Sequence, residues 1–126
     1  MSATIHPKIK TMSPQLLVAH LQQSIAFYTE KLGFEIDFSY EDFYCGIKKD
    51  GFSIHLKSGN PAIEERENRK NNEHVDITFA VDGIDDLYND FKNKPIEIIQ
   101  SLREMPYGRE FYLADPDGYI IAFLEE

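Results

Sequence analysis

The chain has 126 residues, 42% of them hydrophobic, and a formal net charge of −9. This length favours a single domain, and the acidic charge argues against nucleic-acid binding because phosphate recognition needs a basic surface. The single cysteine, Cys45, excludes an internal disulfide framework, and no apolar run approaches the roughly 20 residues of a membrane span. With no signal-peptide pattern at residues 1–11, we expect a cytoplasmic protein without a membrane partner.

The first half of the chain predicts a strand, a helix and then three strands. Ile25, Tyr28 and Leu32 recur with helical spacing, and Gly33 follows where a left-handed helix end is favoured. Residues 34–40 alternate between apolar and polar side chains, which is the pattern of a half-buried strand. The four strands of this half are expected at residues 14–19, 34–40, 43–48 and 52–57.

The second half predicts the same order after a polar connection at residues 59–73, in which a short helix at 61–69 remains open. A helix is expected to begin near Asp82, whose carboxylate could cap it. Strands are expected at residues 74–81 and 96–100, and a β-hairpin at 106–123 turns at the sequence DPDG, residues 115–118.

The two halves look duplicated. Val18 matches Val81 at an offset of 63, and the Asp50-Gly51 turn matches Asp117-Gly118 at an offset of 67. We therefore predict one α+β domain, residues 1–126, made of two βαβββ modules whose eight strands form a curled cup. The modules are expected at residues 13–58 and 74–126, with the connection at 59–73.

Alternation within the strands predicts which side chains face away from the helices. Most of those in the first and last strands of the first module and in the first strand of the second module are polar. These are Ser13, Gln15, Ser53, His55, Lys57, His74, Asp76 and Thr78. Such a face is either the lining of a partly polar cavity or the solvated side of a sheet, and the pattern leaves both open.

Three motifs resemble the glyoxalase/bleomycin-resistance/extradiol-dioxygenase superfamily, also called vicinal oxygen chelate proteins. They are SIAFYTEKLGF at residues 24–34, VDGIDDLY at 81–88 and DPDG at 115–118. PYGREF at 106–111 and EDF at 41–43 are most similar to the bleomycin-resistance branch. The resemblance implies the fold of two βαβββ modules and, in this branch, a homodimer with an exchanged N-terminal arm and ligand sites at the subunit interface.

Enzymes of this superfamily hold a divalent metal on the first and last strands of each module. The matching positions here are Ser13, Asp76, His55 and Ala122, and alanine has no donor atom. His55 and Asp76, with His74 nearby, remain as weak candidate ligands, fewer than the roughly three protein ligands of a typical catalytic site, so we expect no metal cofactor. In a metal-free enzyme, His55 could instead act as a general base oriented by Asp76.

Aromatic side chains suggest what the cup would bind. Phe38, Phe43 and Tyr107 are candidates to stack on a flat ligand, with His55 and Arg109 as polar contacts. Arg109 could alternatively pair with Glu110 or with a neighbouring strand, or anchor a ligand carboxylate, and the sequence leaves these open. We interpret the chain as a metal-free dimeric protein that sequesters a planar or cationic small molecule. The alternative is a glyoxalase-like lyase or dioxygenase-related oxidoreductase using a weak metal site or His55.

Overall fold

The computed structural model describes residues 6–61 and 63–126, and its elements follow the predicted order. The strands and helices are β1 Gln15–Val18, α1 Leu21–Ala26, β2 Glu35–Tyr40, β3 Tyr44–Lys49, β4 Phe52–Ser58, α2 Arg66–Asn71, β5 Val75–Ala80, α3 Ile84–Lys92, β6 Glu97–Met105, β7 Gly108–Ala114 and β8 Ile120–Glu125. Helix α1 continues as a π-helical stretch, Phe27–Lys31, and a 3₁₀ turn, Ile63–Glu65, precedes α2. No helix in the described ranges is long and apolar enough to cross a membrane.

The eight strands form two four-stranded sheets with identical topology, in the orders β1-β4-β3-β2 and β5-β8-β7-β6. In each sheet, the first strand is parallel to the last strand of its module, and the other pairs are antiparallel. Gln15 pairs with His55, and their predicted equivalents Thr78 and Ala122 pair with each other. The α+β fold of two βαβββ modules and the register of the repeat are therefore confirmed.

One face of each sheet packs into a single core shared by the two modules. Leu56, Ile54 and Cys45 of the first sheet belong to the same buried cluster as Phe111 and Phe123 of the second. Because side chains alternate along a strand, the remaining residues of these strands form the opposite, outward faces of the two sheets.

The DPDG turn of the second hairpin joins the modules. The buried Asp115 carboxylate accepts a hydrogen bond from the Tyr28 hydroxyl at 2.7 Å. The buried Asp117 carboxylate accepts hydrogen bonds from the Ala19 backbone N–H at 2.9 Å and the Ser24 hydroxyl at 3.3 Å. Gly118 has a φ of +88°, which glycine adopts without strain. The turn therefore fixes β8 of the second module against the start of α1 in the first.

Two local expectations are corrected. Strand β6 runs to Met105 rather than ending near residue 100, because irregularities around Gln100 break the alternation from which a strand is recognised. Helix α3 is not capped by Asp82. The Glu125 carboxylate, at the end of β8, accepts hydrogen bonds from the backbone N–H groups of Gly83 and Ile84 at 3.0 and 3.1 Å. A cap supplied from the far end of the chain leaves no local signal in the sequence.

Candidate functional site

Four ring side chains cluster on the outward face of the first sheet, and we call Phe38, Tyr40, Tyr44 and His55 the aromatic face. Phe38 stacks on Tyr44, with ring centroids 6.2 Å apart and planes 15° apart. Phe38 also meets His55 edge to face at 5.2 Å. The Tyr40 side of the cluster remains open to solvent, since Tyr40 is 60% exposed. Rings held in this way present a flat apolar surface on which another ring can stack.

Hydrogen bonds hold the polar edge of the aromatic face. The Tyr44 hydroxyl donates to Gln15 Oε1 at 3.0 Å and lies 2.9 Å from His55 Nδ1. A hydroxyl has one proton, so when Tyr44 donates it to Gln15, Nδ1 of His55 is the donor to Tyr44. Three strands, β1, β3 and β4, thus fix the orientation of the Tyr44 and His55 rings.

Gly46 sets the position of the Phe38 ring. The two residues are paired between β2 and β3, and a Cβ atom added at Gly46 would lie 2.2 Å from Phe38 Cε1. The ring therefore occupies the space that any other side chain at position 46 would need.

We expect Gly46→Ala to displace the Phe38 ring and to lower the free energy of unfolding by about 1–3 kcal/mol, the usual range for overpacking. Urea denaturation measures the loss. The double variant Gly46→Ala/Phe38→Ala is the control, because removing the ring removes the clash. The double variant should lose less free energy of unfolding than the sum of the losses in the two single variants. Additive losses would contradict the contact between Gly46 and Phe38.

A second cluster lies on the outward face of the second sheet and is built around the buried carboxylate of Glu110, which is 4% exposed. Glu110 accepts hydrogen bonds from Tyr107 Oη at 2.6 Å, Arg103 Nε at 2.9 Å and Tyr112 Oη at 3.0 Å. Burial opposes ionisation of Glu110, but these three donors outweigh it and lower its pKa. The hydrogen bond to Glu110, followed by desolvation, raises the pKa of Tyr107 to about 12. The cluster is therefore a fixed ionic network centred on a charged carboxylate.

The predicted ligand contacts fall in several places. Phe38 and His55 come together in the aromatic face, and Phe43, 49% exposed, lies in the turn beside Tyr40. Tyr107 lies in the turn between β6 and β7 of the other sheet, where its hydroxyl contacts Glu110. Arg109 is on the helix side, where it pairs with Asp85 of α3 through hydrogen bonds of 2.5 and 2.7 Å. The alternative pairing of Arg109 with Glu110 is wrong, because neighbouring residues of a strand point to opposite faces; Arg103 takes that role.

The candidate metal ligands do not converge. His55 Nδ1 contacts Tyr44, and the Asp76 carboxylate accepts a hydrogen bond from the Ile120 backbone N–H at 2.9 Å. His74 is exposed at the start of β5, and Ala122 offers no donor atom. Among residues 6–61 and 63–126, no group of three or more His, Cys, Asp or Glu side chains is placed to hold a metal ion. These residues do not fit a metal centre.

Sequence reasoning missed Tyr44, Gly46 and Arg103. Extending the alternation to β3, which lies beside β4 in the sheet, would have placed Tyr44 and Gly46 on the face that carries His55. Arg103 had no comparable signal, because it follows the irregular part of β6.

Two βαβββ modules with identical sheet order define the class of fold to which the chain belongs. A family model described as Glyoxalase/Bleomycin resistance protein/Dioxygenase superfamily matches residues 9–123. The chain belongs to this family, and the resemblance inferred from its motifs, including that to the bleomycin-resistance proteins, is confirmed.

Individual relatives agree with this assignment. A bleomycin resistance protein of Geobacillus stearothermophilus is 30% identical over 130 aligned residues, which cover 90% of this chain and 94% of that protein. The bleomycin-binding protein of Streptomyces verticillus, solved with copper(II)-bleomycin, superposes with a TM-score of 0.69 at 20% identity, covering 96% of this chain and 99% of that one. The fosfomycin resistance protein FosX of Listeria monocytogenes superposes with a TM-score of 0.74 at 18% identity. The match covers 100% of this chain and 95% of that one. The two structural matches show the shared fold.

Proposed function

We propose that this chain is a small-molecule-binding protein of the bleomycin-resistance type, which sequesters a planar or cationic ligand on its aromatic face. The observation that carries the proposal is the ring cluster of the exposed Tyr40 with the half-buried Phe38 and Tyr44, oriented by Gly46, Gln15 and His55. Binding by stacking needs a rigid flat surface, and it leaves the ligand chemically unchanged. The relatives named for bleomycin resistance support a drug-like ligand.

Charge near the aromatic face suits a cation. Glu41 and Asp42 occupy the turn between β2 and β3, and the net charge of the chain is −9. Asp37 on β2 is partly neutralised by Lys48 at 3.7 Å. A cationic ligand would therefore meet an acidic rim beside the rings.

The proposed site is completed by a second copy of the chain. The aromatic face and the Glu110 cluster lie on different sheets, and cavities of about 450 and 380 Å³ within one chain are lined by neither. A homodimer that brings the first sheet of one protomer over the second sheet of its partner would enclose the ligand between them. Exposed apolar side chains at Ile9 (90%) and Met12 (84%) support exchange of the N-terminal arm. Residues 1–5 of that arm lie outside the described residues.

We infer that binding requires no metal and occurs in the cytoplasm. Ala122 and the separate engagement of His55 and Asp76 support the metal-free site. The alternative is an enzyme with His55 as general base, for which the Tyr44 to His55 contact of 2.9 Å is the favourable observation.

Calorimetric titration with metal-free bleomycin tests the proposal. Phe38→Ala and Tyr40→Ala are each expected to weaken binding about tenfold, because each removes an aromatic contact worth roughly 0.5–1.5 kcal/mol beyond its buried area. Sedimentation equilibrium of the same samples tests the homodimer.

The matched control is Phe52→Ala, which removes an exposed phenylalanine from the helix side of the same sheet and should leave bleomycin affinity unchanged. Equal affinities in all three variants would remove the aromatic face from the site. Chromatography of the titrated mixture separates the alternatives, since sequestration returns intact bleomycin and an enzyme returns a product that disappears in His55→Ala.

A further inference from the structure

A cavity of about 450 Å³ lies where the two modules meet, on the side of the sheets that faces the helices. Its volume falls in the range of roughly 300–1,000 Å³ that is typical of small-molecule sites. The first module contributes residues around the start of β2 and the β3–β4 hairpin, and the second contributes β5, α3 and β8. Its aromatic lining residues are Phe34, Phe52, Phe79, Phe91 and Phe123.

Phe52 is the exposed member of this set. Phe34, Phe91 and Phe123 are 7%, 3% and 6% exposed, whereas Phe52 is 70% exposed at the mouth of the cavity. A bound ring would contact the buried phenylalanines at one end and cover Phe52 at the other. Covering a large exposed aromatic side chain is a source of binding free energy that the unliganded chain does not use.

The charged residues of the cavity favour a cation. Lys49 Nζ lies 3.6 Å from the Asp50 carboxylate, so these two charges offset each other. Asp82 also lines the cavity and makes no ion pair or side-chain hydrogen bond with any residue of the described ranges. One carboxylate therefore remains at the mouth, in a chain whose net charge of −9 attracts cations.

We propose that this cavity is a second binding site, which takes a small aromatic amine with its ring among the phenylalanines and its ammonium group at Asp82. The site is separate from the aromatic face, because Phe79 and Phe123 belong to the core between the modules while the aromatic face points outward. The proposal therefore does not depend on the function assigned to the aromatic face.

A ¹H–¹⁵N NMR titration of the full chain with 1-naphthylmethylamine tests this site. The matched probes are 1-naphthalenemethanol and 1-naphthoate, which keep the same ring and change the charge. The amide signals of Phe34, Phe52 and Val81 are expected to shift, and a shift of the Gly46 signal would report stacking on the aromatic face instead. The amine should bind about three- to tenfold more tightly than the alcohol at low salt, and the naphthoate most weakly.

Two variants locate the binding. Phe52→Ala should weaken binding of the amine about three- to tenfold, and its exposed position means that the fold is retained, as the dispersion of the same spectra verifies. Asp82→Asn should remove most of the difference in affinity between the amine and the alcohol. Tyr40→Ala removes any stacking of the amine on the aromatic face, so the shifts of Phe34, Phe52 and Val81 should keep the same concentration dependence in this variant.

The proposal is overturned if the amine shifts only signals of the aromatic face, if Phe52→Ala binds it as tightly as the parent chain, or if naphthoate binds as well as the amine. Bleomycin titration of Phe52→Ala is read separately. If Tyr40→Ala loses bleomycin binding and Phe52→Ala retains it, bleomycin binds at the aromatic face. If Phe52→Ala loses amine binding, the amine binds in this cavity, whatever the bleomycin result.

Discussion

Asp117→Ala is expected to lower the free energy of unfolding by about 2–4 kcal/mol, although the residue lies in a turn. Its carboxylate is 3% exposed and accepts hydrogen bonds from Ala19 N–H and the Ser24 hydroxyl across the joint between the modules. Removing it leaves the buried Ser24 hydroxyl and the half-buried Ala19 N–H without partners, and an unsatisfied buried donor costs roughly 1–3 kcal/mol. It also removes the carboxylate that lies 4.0 Å from the Arg66 guanidinium.

The duplicated turn supplies the control for this measurement. Asp50 is the equivalent residue of the first hairpin, is exposed, and has a φ of +53°, which asparagine tolerates better than alanine. Asp50→Asn should change the free energy of unfolding by less than about 0.5 kcal/mol in urea denaturation. Similar losses in the two variants would show that the turn does not hold the modules together.

Asp115→Asn is expected to change how stability depends on pH. Burial, opposed by the hydrogen bond from Tyr28, raises the pKa of Asp115 from 3.8 to about 6 in the folded chain. Between these pH values the unfolded chain has lost the proton that the folded chain retains, so rising pH favours unfolding. This contribution to stability is complete below about pH 4 and is lost as the pH rises through 6.

Asparagine keeps an acceptor oxygen for the backbone N–H groups of Asp117 and Tyr119 but does not titrate. From pH 4 to pH 7, the parent chain should therefore lose roughly 2–3 kcal/mol relative to Asp115→Asn, at about 1.4 kcal/mol for each unit of pKa difference. Urea denaturation at pH 4, 5, 6 and 7 measures the difference. A constant gap between the two chains across this range would contradict the raised pKa.

The two hairpins show how copies of one module diverge. Both turns keep Asp-Gly and a glycine at positive φ, with values of +86° at Gly51 and +88° at Gly118. The first turn projects into solvent at the edge of the cavity between the modules, while the second is buried against α1. Only the first turn also has its aspartate, Asp50, at positive φ, so the same Asp-Gly pair forms an exposed hairpin turn in one copy and part of the joint between the modules in the other.

Residues of the proposed sites were predicted to different extents. His55 was found because alternation and the repeat identify outward positions, and Phe38 was singled out as an aromatic residue, whereas Tyr44 and Gly46 required the pairing of β3 with its neighbours. Residue type alone does not show towards which face of its strand Arg109 points. A charged residue near aromatic ones suggests a ligand contact, yet the strand turns Arg109 towards Asp85 and places Arg103 beside Glu110 instead.

The sequence by itself determined the module order, the duplicated register and the lack of a carboxylate at Ala122, because strand periodicity, turn residues and donor atoms are local properties. Only the tertiary structure decided that Glu125 caps α3, that Asp115 and Asp117 join the modules, and that Gly46 positions Phe38. These contacts join residues that are distant in the chain or on neighbouring strands. They depend on how the elements pack, and a local pattern carries no record of that packing.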